Sequence, residues 1–130
     1  MTNIVPSRRR ARAVYDFAVD GGAVGDIPLR GDKIPSGAII TDVLIHVDTV
    51  LTSGGAATVA LKAESAADLN AADAISGAPW SSAGAKRGDL TATSAPVKTT
   101  AERQIVATVA TAVLTAGKFS AHVEYLVLPS

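Results

Sequence analysis

The sequence predicts an all-β domain, an antiparallel β-sandwich of jelly-roll type with one short helix and an N-terminal arm. Apolar side chains recur at every second position along much of the chain, which is the period of a half-buried strand. Turn-forming clusters at 35–37 and 53–55 separate such stretches. Long helices do not alternate with them, as they would around a parallel sheet. The 130 residues fit a single β-sandwich domain over residues 13–130, preceded by an arm over residues 1–12.

The composition excludes several classes of protein. Hydrophobic residues make up 48% of the chain, charged residues 18% and aromatic residues 4%. This balance excludes a disordered chain and predicts a core of small and β-branched side chains. Cysteine is absent, so disulfides, thiolate metal ligands and cysteine nucleophiles are excluded. No apolar run reaches the ~18 residues of a membrane span, and residues 1–12 do not resemble a signal peptide. We therefore expect no membrane partner.

The arm carries a concentrated positive charge. Arg8, Arg9, Arg10 and Arg12 give it a charge of +4, and the remaining residues carry −4. A basic arm on an acidic body indicates an acidic partner. Because no aromatic residues are interleaved with the arginines, the signature of a nucleic-acid-binding segment is weak. We expect the arm to order on a protein partner instead.

The first half of the domain contains three predicted strands. Residues 13–19 alternate between apolar and polar side chains, and residues 39–51 do so over a length that predicts a bend or bulge. The turn at 53–55 leads into a return strand over residues 57–63. In the longest strand, one face carries Ile39, Thr41, Val43, Ile45, Val47, Thr49 and Leu51.

The second half begins with a predicted helix. Ser65 and Asp68 can cap a helix of one to three turns over residues 65–75, and its alanines favour it. Residues 76–98 are rich in Gly, Ala, Ser and Thr and predict a long loop, anchored by Trp80. Strands follow over residues 103–113 and 119–128, separated by a tight turn at 115–118.

Surplus apolar residues predict self-association. Leu44, Leu126 and Leu128 fall on strand faces that should point outward, and exposed apolar patches usually mark an interface. We therefore expect a homo-oligomer with these leucines and Trp80 at the subunit interface, because a lone Trp most often anchors a core or an interface. Stacking of Trp80 on a sugar is the alternative.

The sequence predicts no catalytic, cofactor or metal site. His46 lies four residues after Asp42 and two before Asp48, and His122 lies two residues before Glu124, so each can pair with an acid on the same strand face. We interpret both as surface or interface pairs. No Gly-x-Ser-x-Gly motif occurs, and the glycine-rich segment 21–25 lacks the Lys-Ser or Lys-Thr ending of a phosphate loop. The protein is predicted not to be an enzyme.

An ordered series of strand and turn motifs resembles a known group of proteins. The series contains Tyr15-Asp16-Phe17-Ala18-Val19-Asp20-Gly21-Gly22-Ala23, Ile34-Pro35-Ser36-Gly37-Ala38-Ile39-Ile40-Thr41, Ala57-Thr58-Val59-Ala60-Leu61, Ala66-Ala67-Asp68-Leu69, Leu114-Thr115-Ala116-Gly117-Lys118 and Val123-Glu124-Tyr125. In this order the motifs resemble the small structural proteins of tailed bacteriophages, which are often encoded among the head genes. The resemblance covers roughly residues 13–128, and the arginine-rich arm lies outside it.

The resemblance implies a virion protein, specifically a head decoration or cement protein on the outer capsid surface that stabilises the capsid. It implies two partners, the major capsid protein and further copies of the chain in a homotrimer, and no cofactor. Arg8, Arg9, Arg10 and Arg12 would then contact the capsid. A tail or head–tail connector subunit is an alternative, and a carbohydrate-binding jelly-roll module using Trp80 is a second, because jelly rolls host lectins as readily as capsid proteins.

Overall fold

A computed structural model of the chain describes residues 7–90 and 95–128. Within these ranges the chain forms eight strands and one helix of a single turn, which is too short to cross a membrane. In chain order the elements are β1 (Ser7–Asp16), α1 (Phe17–Asp20), β2 (Gly25–Ile34), β3 (Ala38–Ser53), β4 (Thr58–Lys62), β5 (Asn70–Ala74), β6 (Gly84–Arg87), β7 (Arg103–Ala110) and β8 (Leu114–Val127).

The strands pair as a long antiparallel ribbon that is rolled on itself. β1 pairs with β8, β2 with β7, β3 with β6 and β4 with β5. Further pairs complete one curled sheet in the order β5-β4-β7-β2-β1-β8-β3-β6. Two layers result, β1-β8-β3-β6 and β2-β7-β4-β5, which β1 and β2 join through only two residue pairs. The predicted all-β, antiparallel, jelly-roll-like class is confirmed.

The core lies between the two layers. Small and β-branched residues dominate it. Three of its aromatic rings meet at Phe119, which stacks on Tyr15 at 5.3 Å and contacts Trp80 in a tilted arrangement at 4.8 Å between ring centroids. Other fully buried side chains come from both layers and include Val43, Ile45, Val47, Val59, Leu61, Ile105 and Val123.

The predicted irregularity in the long strand is present in β3. Its register against β8 shifts between Ile40 and Asp42 and again beyond Val47. Because the first shift adds a residue, Ile40 is buried where Ile39 was expected, and Thr41 is exposed. From Val43 to Val47 the burial alternates as predicted.

The predicted helix over residues 65–75 is wrong. The carboxylate of Asp68 accepts hydrogen bonds from the amides of Ala63, Glu64 and Ser65 at 2.8, 2.9 and 2.8 Å. These bonds hold the backbone in a turn, which competes with a helix, and the alanine-rich residues that follow pair with β4 as β5. The one helix of the described ranges is α1, where a strand was expected.

The predicted boundary of the arm at residue 12 is also wrong. Residues 7–12 belong to β1 and pair with β8 without interruption. The strand extends this far because Ala11 and Ala13 alternate into the core while the even-numbered arginines project outward. Residues 1–6 lie outside the described residues. The loop expected over residues 76–98 likewise contains β6.

Candidate interaction surface

The outer surface of the β1-β8-β3-β6 layer gathers most of the predicted site residues. Ala11 and Ala13 of β1 are buried, so the alternate positions Arg8, Arg10 and Arg12 lie on the opposite face and are exposed. Residues of β8, β3 and β6 continue this surface across the layer. We call it the arginine face, and it comprises Arg8, Arg10, Arg12, Asp42, Leu44, His46, Arg87, His122, Glu124 and Leu126.

Strand register arranges the face in rows. One row runs from Arg12 through His122 and Leu44 to Arg87. Leu44, with 41% of its surface exposed, therefore lies between cationic and imidazole side chains. An exposed leucine beside an arginine is typical of a protein-binding surface, where arginine is enriched and apolar groups are central.

A second row places acids beside the arginines. Glu124 lies opposite Arg10 on one side and Asp42 on the other, and its carboxylate contacts the Arg8 guanidinium at 3.1 Å. The Arg8 side chain is 70% exposed, so this pair adds little to stability. Asp42 accepts the amide proton of Val43 at 2.9 Å, which holds it at the bulge of β3.

Two shallow clefts open on this face. One, of about 260 Å³, is lined by Arg8, Arg9, Arg10 and Glu124. The other, of about 200 Å³, adds Asp42, Leu44 and His122 to Arg10 and Glu124. Both are smaller and more charged than the mostly apolar pockets of roughly 300–1,000 Å³ that hold small molecules. Their chemistry suits the side chains of a protein partner.

The two histidines occupy different environments. His46 Nδ1 lies 3.0 Å from the carboxylate of Asp48, an exposed pair of the predicted kind. His122 Nε2 lies 3.0 Å from the hydroxyl of Ser120. The partner of His122 is therefore Ser120 and not Glu124, the acid expected from the sequence. Burial lowers the pKa of His122, and the positive charges of Arg12 and Arg10 lower it further. His122 therefore binds a proton less readily than an ordinary histidine.

The structure does not place Trp80 at an interface. Its indole is fully buried within the chain, and its Nε1 donates to the carbonyl of Val59 at 3.2 Å. The prediction of a subunit-interface role for Trp80 is wrong, and the ring is equally inaccessible to a sugar. The contact partners lie far away in sequence, so no local pattern reveals this burial. Leu126 is half-buried and Leu128 is exposed.

The contact between β1 and β2 at Arg12 is not predicted by any local sequence pattern. Asp32 of β2 accepts the backbone amide of Arg12 at 3.0 Å, and Gly31 packs so closely on the Arg12 carbonyl that a Cβ atom would lie 2.2 Å from that oxygen. β2 approaches β1 here and then diverges towards β7. The Arg-Gly-Asp triplet at residues 30–32 therefore lies at the point where β2 pairs with β1.

The buried polar side chains that the structure describes are satisfied within the chain. In residues 7–90 and 95–128 no buried side-chain nitrogen or oxygen lacks a hydrogen-bond partner. Over the same residues no three His, Asp or Glu side chains are grouped as metal ligands.

Comparison with known proteins identifies the fold. No family model and no curated protein matches the chain. Three solved structures do, with TM-scores of 0.64, 0.67 and 0.59. They are chains of the acidic stable capsid of Helicobacter pylori bacteriophage KHP30 (21% identity), of the cyanophage Pam1 capsid asymmetric unit (18%) and of the capsid of Ralstonia phage GP4 (18%). Its fold is one that bacteriophage capsids contain.

The match extends over whole chains. It covers 100%, 99% and 97% of this chain and 95%, 90% and 86% of the respective capsid chains. In the KHP30 comparison the arginine-bearing half of β1 is therefore included. Residues 7–12 are thus part of the shared fold and not an addition to it.

Proposed function

We propose that this chain is a structural component of a bacteriophage virion, a decoration or cement protein that binds the outer surface of the capsid and stabilises it. The observation that carries the proposal is the whole-chain match to chains of three phage capsids. The satisfied polar groups and the small, charged clefts agree with a role in binding proteins.

In this proposal the arginine face contacts the major capsid protein. Arg8, Arg10 and Arg12 line one edge of the face, and Arg9 is exposed beside them. Leu44 lies within the same face, so we assign it to the capsid contact and not to the contact between copies. Leu44 has Arg87 on one side and His122 on the other, and an exposed leucine beside an arginine suits a surface that is acidic with apolar patches.

Self-association is the second part of the proposal. Leu126, which lies where β8 and the arginine face end, and Leu128 just after β8 remain the candidates for contact between copies. In a two-fold dimer built on the arginine face, arginines would meet arginines, because each copy presents the same patch. A three-fold ring joins two different surfaces, so the basic strand of one copy can lie near the acidic body of the next. This charge distribution argues against a two-fold dimer on the arginine face and agrees with the homotrimer that the resemblance to phage structural proteins implies.

The carbohydrate-binding alternative rested on Trp80. Because the indole is fully buried, it cannot stack on a sugar. The tail or connector alternative predicts the same fold but a different place and copy number in the particle. Virion composition separates it from the proposal.

The proposal is tested by adding the purified chain to particles of the phage that encodes it, assembled without it, and measuring co-sedimentation. We expect saturable attachment that weakens with salt. The triple variant Arg8→Gln/Arg10→Gln/Arg12→Gln should bind at least roughly tenfold more weakly, since each exposed charge pair contributes up to about 1 kcal/mol. Its control, Lys33→Gln/Lys98→Gln/Lys118→Gln, removes the same charge elsewhere and should bind normally. Absence of attachment by the unmodified chain would contradict the proposal.

A further inference from the structure

Half of β1 forms an open strand edge. β1 pairs with β8 along its whole length, from Ser7 to Asp16. On its other side it pairs with β2 only at Ala13 and Val14. Beyond Arg12, whose amide bonds to Asp32 of β2, β2 turns away to β7, so the other side of residues 8–11 has no neighbouring strand among the described residues.

The direction of the backbone groups on this edge follows from two hydrogen bonds. The amide of Arg12 donates to Asp32, and the amide of Asp16 donates to Asp20 at 2.8 Å, both on the side away from β8. Successive residues of an antiparallel strand point their backbone groups to alternate sides. The N–H and C=O groups of Arg8 and Arg10 therefore also face away from β8, and no group in the described residues pairs with them.

We propose that this edge of β1, from Arg8 to Ala11, binds an extended acidic segment of a different protein by β-strand addition. The inference rests on the proposed function, which makes the major capsid protein the source of that segment. Strand addition supplies affinity through main-chain hydrogen bonds, and side chains supply specificity.

The charges beside the edge select an acidic occupant. Arg8, Arg9, Arg10 and Arg12 are all exposed, and three of them line the cleft of about 260 Å³. The chain itself already places carboxylates along this side of β1, where Asp32 and Asp20 accept amide protons. Glutamate or aspartate side chains on an added strand would continue that arrangement.

The same charges argue against a second copy as the occupant. Pairing of β1 with another β1 would set arginines opposite arginines, which is destabilising. The end strands of a second copy, β5 and β6, are also unsuitable occupants. β6 carries the positive charges of Lys86 and Arg87, and the carboxylate of Asp73 in β5 already accepts a hydrogen bond from Asn70. Charged residues also protect strand edges from unwanted pairing, and the experiment distinguishes that role from strand addition.

Residue-resolved hydrogen exchange tests the inference directly. In the free chain the Arg8 and Arg10 amides should exchange rapidly, whereas the Arg9 and Ala11 amides, bonded to β8, and the Arg12 amide, bonded to Asp32, should exchange slowly. On particles that lack the chain, Arg8 and Arg10 should become protected by at least about tenfold, while the other three stay slow. Slow exchange of Arg8 and Arg10 already in the free chain would overturn the inference, because the edge would then be occupied.

The outcomes separate the inference from the proposed function. Attachment without new protection at Arg8 and Arg10 would overturn strand addition, assign the arginines to edge protection or side-chain contact, and leave the proposed function standing. Absence of attachment would overturn both.

A pair of variants at one position adds a second test. Arg10→Ala removes the charge and keeps the amide, whereas Arg10→Pro also removes the outward N–H and spares the ladder with β8, which proline tolerates at a strand edge. We expect Arg10→Pro to attach about fivefold more weakly than Arg10→Ala, the effect of one lost hydrogen bond, at low and at high salt. Equal attachment of the two variants, with β1 intact by exchange, would overturn the inference.

Discussion

The indole of Trp80 and the ring of Phe119 lie 4.8 Å apart between centroids, tilted by 53°. Phe119 belongs to β8, and Trp80 is bonded through Nε1 to the carbonyl of Val59 in β4, in the other layer. Trp80 therefore connects the two layers of the sandwich. In a chain with so few aromatic residues, this contact is a main element of the core.

Replacement of Trp80 should destabilise the fold strongly. Trp80→Ala removes a fully buried indole and leaves a cavity, so we expect a loss of about 3–5 kcal/mol in the free energy of unfolding, measured by urea denaturation. Trp80→Phe keeps a ring against Phe119 and should lose less. An unchanged unfolding midpoint for Trp80→Ala would contradict the burial of the indole.

Asp68 should be essential to the turn before β5. Its carboxylate is buried and accepts three backbone amides. Asp68→Ala leaves these donors without a partner, and we expect a loss of about 2–3 kcal/mol. Asp68→Asn keeps one acceptor oxygen, so its free energy of unfolding should lie between that of Asp68→Ala and that of the unmodified chain. If the stability of Asp68→Ala equals that of the unmodified chain, the turn does not depend on this carboxylate.

The stability of the protein should fall in acid partly through Glu64. Its carboxylate accepts hydrogen bonds from Arg103 and Thr100, and these bonds, that from Arg103 first, lower its pKa from 4.5 to about 2. Because the folded-state pKa is depressed, the stabilisation is present above about pH 4.5 and disappears as the pH falls towards 2. Glu64→Gln should flatten the pH dependence of the unfolding free energy in this window.

The matched control for this prediction is Glu102→Gln, which removes a carboxylate that lies 3.8 Å from Lys33 at the surface. An identical pH dependence for Glu64→Gln and the unmodified chain would show that the Arg103 contact is not formed in solution.

His122 should titrate below the ordinary range of histidine. Burial lowers its pKa from 6.5, and Arg12 and Arg10 add to the effect. Nuclear magnetic resonance titration of the imidazole should give a midpoint below 6.5, and Arg12→Gln should raise it, whereas the distant Lys118→Gln should not. A midpoint at or above the ordinary value would mean that the arginine face is arranged differently.

Sequence patterns predict this fold well where alternation is long. β8 and the middle of β3 follow the predicted faces because burial on one side of a sheet imposes a period of two. The patterns fail where one side chain changes the backbone. Asp68 turns a stretch of helix-favouring alanines into a turn and an edge strand, and the extra residue at Thr41 moves Ile40 into the core.

The candidate surface was only partly predictable. The binding role of the arginines at 8, 10 and 12 stays a prediction. Their number obscures the small residues Ala11 and Ala13, whose burial places the segment in a strand. The burial of Trp80 and the open edge of β1 depend on strands distant in sequence. Neither leaves a local signal.

The most direct test of the central claim is the protein composition of purified virions of the phage that encodes this chain, measured by quantitative mass spectrometry. A decoration protein should be present at a fixed ratio of similar order to the major capsid protein, and mild treatment that strips surface proteins should release it. A ratio an order of magnitude or more lower would indicate a connector or tail subunit instead, and absence from the virion would contradict the account altogether.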